Sequence, residues 1–188
     1  MAMQSISLSP TLCSHTLLAY TGSTEIKEAL SMSDTNSIGL HEGSASQLAE
    51  RLNVLLANYQ IFYMNVRGYH WNVKGQQFFQ LHEKFEELYT DLLTKVDEVA
   101  ERILTLGHTP VHAYSDYFKI ASIEEDKNVH DGQACVRGVV QGYQQMLELQ
   151  REILSLASDA DDEGTAAQVG DYIREQEKTV WMLNAYLG

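Results

Sequence analysis

Two histidines, His70 and His82, lie twelve positions apart in the stretch GYHWNVKGQQFFQLHEKFEE, which runs from Gly68 to Glu87. Glu86 follows His82 by four positions, and further on Asp97 and Glu101 are again four apart. On a helix, residues four apart share a face. Each pair can therefore chelate one metal ion or line one pocket. Imidazole and carboxylate together suit iron, zinc or manganese. Taken singly, the same residues have plainer readings: a packed or hydrogen-bonded histidine, and solvated charges on an outer face.

One straight helix cannot bring both pairs to one ion. His82 and Asp97 are fifteen positions apart, roughly 22 Å along the axis at the helical rise. A two-fold pairing of chains removes the difficulty. If the helix lies antiparallel to its partner's copy, the His82 end of one meets the Asp97 end of the other, and symmetry makes two equal sites. His70, on the preceding helix, could join His82 of its own chain. Each site would then hold His70, His82 and Glu86 from one chain and Asp97 and Glu101 from the other.

The elements that must position these groups are helices. After Ser44 and Gln47, which fit a capping box, Leu48, Leu52, Leu55, Tyr59, Phe62 and Val66 keep a helical period. This predicts a first helix running to about Asn72, ended by a turn at Gly75. A second helix is expected from about Gln77 to Leu106, with Phe85, Leu88, Leu92, Val99 and Ile103 as its stripe. LGHTP then stops it, Gly107 capping and Pro110 following. SDYFKIASI reads as a short helix within a long crossover. A third helix is expected over about Gly132 to Ala157 and a fourth over about Thr165 to Leu187, where Gln176 is a polar intruder on the stripe. The fold class expected is all-α: an antiparallel four-helix bundle whose long crossover joins helices two and three.

Composition narrows the function. The chain has 188 residues, enough for one domain with a sizeable core. Its formal charge is −13, from 26 acidic and 13 basic residues. That disfavours binding to a phosphate backbone and suits a cavity that gathers cations. Two cysteines, Cys13 and Cys135, make no disulfide framework, so a reducing, cytoplasmic location is expected. No run approaches a membrane span, and the first basic residue is Lys27, unlike a secretory leader. Residues 1–43 show no sustained period and are expected to form a flexible extension, with 44–188 as the folded domain; Met32 is a candidate internal start.

YHWNVKGQQFFQLHEKFEELY followed by VDEVAERILTLGHTP resembles the Dps family, the mini-ferritins named as DNA-binding proteins from starved cells. The resemblance spans about residues 45–187. It implies a homododecameric shell with ferroxidase sites across two-fold interfaces. There His70, His82 and Glu86 match one chain's iron ligands, Asp97 and Glu101 match the partner's, and Trp71 matches the tryptophan beside the iron centre. It implies oxidation of Fe(II), by hydrogen peroxide more readily than by dioxygen, and storage of Fe(III) mineral as protection against oxidative damage. The intrasubunit centre of ordinary ferritins needs two Glu-x-x-His motifs, which the chain lacks.

In the family, acidic residues nucleate mineral and line a three-fold pore. Glu83 and, less well, Glu87 match the first role, and Asp162 and Asp171 are the candidates for the second. The alternatives are a structural or DNA-protective shell with little ferroxidase activity, or a zinc or manganese protein. Direct DNA binding in the family often uses a basic tail. Lys27 is the only basic residue in the extension, so weak or no DNA binding is expected.

Overall fold

The computed structural model describes residues 34–188. The expected extension, Cys13 and Met32 therefore lie largely or wholly outside the described residues. Five helices follow one another: α1 Glu42–Asn72, α2 Phe78–Thr105, α3 Tyr114–Ile120, α4 Gly132–Asp159 and α5 Glu163–Leu187. The four long ones form the bundle. α1 packs chiefly on α2, and α4 on α5, while the short α3 sits on α1 within the crossover.

Helix ends show where local chemistry decided the boundaries. α1 starts at Glu42, not at a Ser44 capping box. His41 caps it instead, its Nδ1 accepting from the Gly43 amide at 3.2 Å. α2 ends in a Schellman motif: the Gly107 amide donates to Leu104 and the His108 amide to Ile103, with Gly107 at φ 90°. Asp131 and Asp162 cap α4 and α5 through the amides of Ala134 and Thr165.

The core contains the stripes read from the period on α1 and α2, among them Leu48, Leu52, Leu55, Phe62, Phe85, Leu92 and Ile103, and is completed by α4 residues such as Tyr143 and Ile153. Burying a side chain of this size contributes about 1.5–3 kcal/mol. α1 and α4 approach closely at Gly142, where a Cβ would stand 2.2 Å from the Phe62 ring. Gln176 is explained by its surroundings: its Nε2 donates to the Tyr59 hydroxyl at 2.8 Å, and its Oε1 accepts from Gln150 at 3.1 Å.

The crossover is held by three asparagines of α1. Asn53 accepts from the Val111 amide at 2.7 Å. Asn58 accepts from the Ser122 and Ile123 amides at 3.0 and 2.8 Å. Asn65 donates to the Glu124 carbonyl and accepts from the Asp126 amide at 2.8 and 3.0 Å. Side-chain amides supply the partners that irregular backbone lacks, so a long connection lies in a fixed course along α1.

Candidate metal centre

His70 sits in the last turn of α1 and His82 early in α2. The five-residue link between these helices turns at Gly75, where φ is 115°, a conformation that suits glycine. The same link is tied to the end of the crossover, the Lys74 amide donating to the His130 carbonyl at 2.9 Å. That brings the two imidazoles together. Their rings stack at 3.8 Å between centroids with 19° between planes.

Each histidine is oriented by the other's backbone. His70 Nδ1 lies 2.7 Å from the His82 carbonyl oxygen, and His82 Nδ1 lies 2.8 Å from the His70 carbonyl oxygen. A carbonyl only accepts, so each Nδ1 carries the proton. The neutral tautomer then leaves a lone pair on both Nε2 atoms, which is the form a metal ligand needs. Phe78 stacks on His82 at 5.0 Å, and Tyr89 meets His70 edge-on at 5.3 Å. His70 is buried and His82 half-buried.

Glu86 lies one turn beyond His82 and is exposed, with the Tyr89 hydroxyl donating to its Oε1 at 3.4 Å. Burial and the neighbouring Glu86 carboxylate raise the Tyr89 pKa, which keeps the phenol protonated as a donor. Trp71 is 56% exposed, and Arg67 lies 4.8 Å over its ring. Arg67 also faces Tyr63 and Tyr89 and donates to the Tyr63 hydroxyl at 2.8 Å. Arg67 and Tyr89 escaped the sequence reading. Their only signal is spacing, Arg67 four before Trp71 and Tyr89 three after Glu86.

Asp97 and Glu101 are exposed on the later turns of α2. Among the described residues, neither carboxylate has an ion-pair or hydrogen-bond partner of its own. The described residues of one chain also gather no group of three or more metal-binding side chains. One chain therefore presents a prepared histidine pair and, separately, an unpaired carboxylate pair.

Comparison with known proteins decides the lineage. A family model described as a ferritin-like domain matches residues 49–188. The DNA protection during starvation protein of Porphyromonas gingivalis is 40% identical over 148 residues, covering 79% of this chain and 93% of that one. This chain belongs to the Dps family. Among solved structures, the Dps protein of Vibrio cholerae O1, described as a member of a broad superfamily of ferritin-like diiron-carboxylate proteins, is similar at 57% identity. Its TM-score is 0.81, with 82% of this chain and 98% of that chain covered. The Dps protein of Bacillus brevis is 36% identical with a TM-score of 0.76, covering 78% and 98%.

Within this Dps chain the remaining polar candidates separate. Asp162, expected to line a pore, is instead buried and committed inside the subunit. Its carboxylate caps α5 and accepts from Arg102 and Thr165, both at 2.5 Å. Burial works to raise its pKa, but the hydrogen bonds from Thr165 and the Arg102 guanidinium outweigh that and hold it below the ordinary 3.8. Asp171 is exposed and pairs with Arg174 at 3.0 Å.

Glu83, Glu86 and Glu87 share a shallow acidic groove with Asp91, Glu87 being paired with Lys84. Cys135 is a fully buried packing residue whose thiol is pushed up to about 11, first by burial and then by Asp126 and Asp131. His112 bonds to the nearby Pro110 carbonyl, and His130 to the Asn72 carbonyl at the end of α1.

Proposed function

We propose that this Dps protein is an intersubunit ferroxidase that oxidises Fe(II) and stores the Fe(III) product as mineral inside a homododecameric shell. The observation that carries the reading is the reciprocal histidine pair, which is fixed in its ligand tautomer before any metal arrives. In the proposed assembly, His70, His82 and Glu86 of one chain face Asp97 and Glu101 of its two-fold partner. Histidine nitrogen favours the ferrous ion, and the carboxylates favour the harder ferric product.

With hydrogen peroxide as oxidant, two Fe(II) each lose one electron, the peroxide O–O bond breaks, and two protons convert both oxygens to water. Passing two electrons to one peroxide avoids release of a hydroxyl radical. Dioxygen is the slower alternative oxidant. Trp71 packs beside the site under Arg67, where an indole could pass or absorb an electron. Glu83 and Glu87 are proposed as mineral-nucleating carboxylates, and Asp171 as a pore residue. The proposed location is the cytoplasm. Among the described residues, no helix is long and apolar enough to cross a membrane.

The test is anaerobic loading of the shell with Fe(II), followed by peroxide. Oxidation is expected to be rapid in wild type and much slower in His82→Ala and in Asp97→Ala. Equal rates in all three would remove the proposed site.

A further inference from the structure

His82, Glu86 and Tyr89 follow one another at intervals of four and three, so their side chains share one face of α2. The first two are proposed ligands. Tyr89 touches the site without being one. Its ring meets His70 edge-on, 5.3 Å between centroids with 75° between planes, and its hydroxyl donates to Glu86 Oε1 at 3.4 Å. One half-buried side chain therefore contacts a histidine of α1 and a carboxylate of α2.

Two further side chains hold the ring. Tyr63 meets it edge-on at 6.0 Å with 82° between planes. The Arg67 guanidinium stands 5.9 Å from its centroid and donates to the Tyr63 hydroxyl at 2.8 Å. Edge-on and cation contacts of this kind favour particular ring orientations. Tyr63 and Arg67 both belong to α1, the helix that carries His70. The phenol of an α2 residue is thus fixed in the frame of the histidine pair.

Glu86 has need of such a partner. It is exposed, and it lies in a shallow groove with Glu83, Glu87 and Asp91, whose like charges cannot hold it. Among the described residues its hydrogen bond comes from Tyr89, and it has no ion pair. A glutamate free to turn in solvent loses rotamer entropy when it binds a cation. A donor that restrains the carboxylate beforehand lowers that cost. Bonds of this kind are often long before the ligand arrives and tighten with it.

We propose that Tyr89 is a positioning residue that holds the Glu86 carboxylate in register with the histidine pair, so that one chain presents three ligands instead of two. The proposal rests on the reading of His70, His82 and Glu86 as ligands.

The experiment is anaerobic titration of Co(II) into assembled shells, followed by its visible absorption, with a thermal melt of each shell. Tyr89→Phe keeps the ring against His70, Tyr63 and Arg67 and removes only the donor. Orienting partners of metal ligands are typically worth about 10–100-fold in affinity. Because Glu86 is exposed, the low end is expected: Tyr89→Phe should bind Co(II) about tenfold more weakly than wild type, at an unchanged melting temperature. The effect must pass through Glu86, so adding Tyr89→Phe to Glu86→Ala should change the affinity by less than about twofold.

A folded Tyr89→Phe shell that binds Co(II) within about twofold of wild type overturns the proposal. A loss of the same size in the Glu86→Ala background overturns it too. If Tyr89→Phe does not assemble, the hydroxyl serves folding and the proposal is again overturned. His82→Ala, titrated in parallel, tests the ligand reading itself. If His82→Ala loses binding while Tyr89→Phe does not, only the positioning role fails. If His82→Ala binds as wild type does, the ligand reading fails and the proposal falls with it.

Discussion

Replacing His82 with alanine separates metal binding from folding, because the structure shows which bonds survive. His70 Nδ1 donates to the backbone carbonyl of residue 82, so that bond persists in His82→Ala and His70 keeps its tautomer. What is lost is one imidazole ligand, the bond from His82 Nδ1 to the His70 carbonyl, and the ring contacts with His70 and Phe78. The lost hydrogen bond costs about 1 kcal/mol net and the ring contacts about 1 kcal/mol more. A melting shift of roughly 4–8 °C is therefore expected in a chain of this size.

The metal effect is larger. Loss of even an orienting partner typically costs about 10–100-fold in affinity. Loss of a ligand should reach or exceed about 100-fold, or ~2.7 kcal/mol. Anaerobic Co(II) titration, followed by its visible absorption, measures this directly alongside a thermal melt. A His82→Ala shell that binds Co(II) within about threefold of wild type would refute the claim that the stacked pair is a ligand pair.

Other consequences follow from the same contacts. Asn58→Ala leaves the Ser122 and Ile123 amides without their partner and should cost about 2–4 kcal/mol, read as a lower denaturation midpoint. Gly142→Ala drives a methyl into the Phe62 ring and should cost about 1–3 kcal/mol by the same measurement.

Asp162 has a folded pKa below its unfolded one, so its stabilising contribution is complete above about pH 4 and is lost as pH falls toward the folded value. Asp162→Asn should therefore be less stable at neutral pH and lose less further stability on acidification, as seen in melts across that range. The intact shell, with a formal charge of −13 per chain, should show no tight, salt-sensitive shift of duplex DNA at neutral pH.

The bundle was legible because its stripes are long and regular, and because glycine and proline mark the turns. The start of α1 was not. His41 serves as an acceptor where serine was expected, a role its side chain shows only in place. The histidine pair was legible as a candidate, yet its orientation by two backbone carbonyls depends on the link geometry and has no sequence signal. Asp162 sits within an acidic run that the family resemblance assigns to a pore, and its burial depends on Arg102, sixty positions earlier.

The central claim is that each site is completed by two chains, and mixed assembly tests it. Shells of His70→Ala/His82→Ala chains and shells of Asp97→Ala/Glu101→Ala chains should each be nearly inactive in peroxide-driven Fe(II) oxidation. Unfolded together in equal amounts and reassembled, half of their two-fold interfaces pair unlike chains, and each of these holds one intact site and one fully broken site. About a quarter of wild-type activity should return. If the mixed shells assemble and stay as inactive as their parents, the ligands do not meet across chains and the account is wrong.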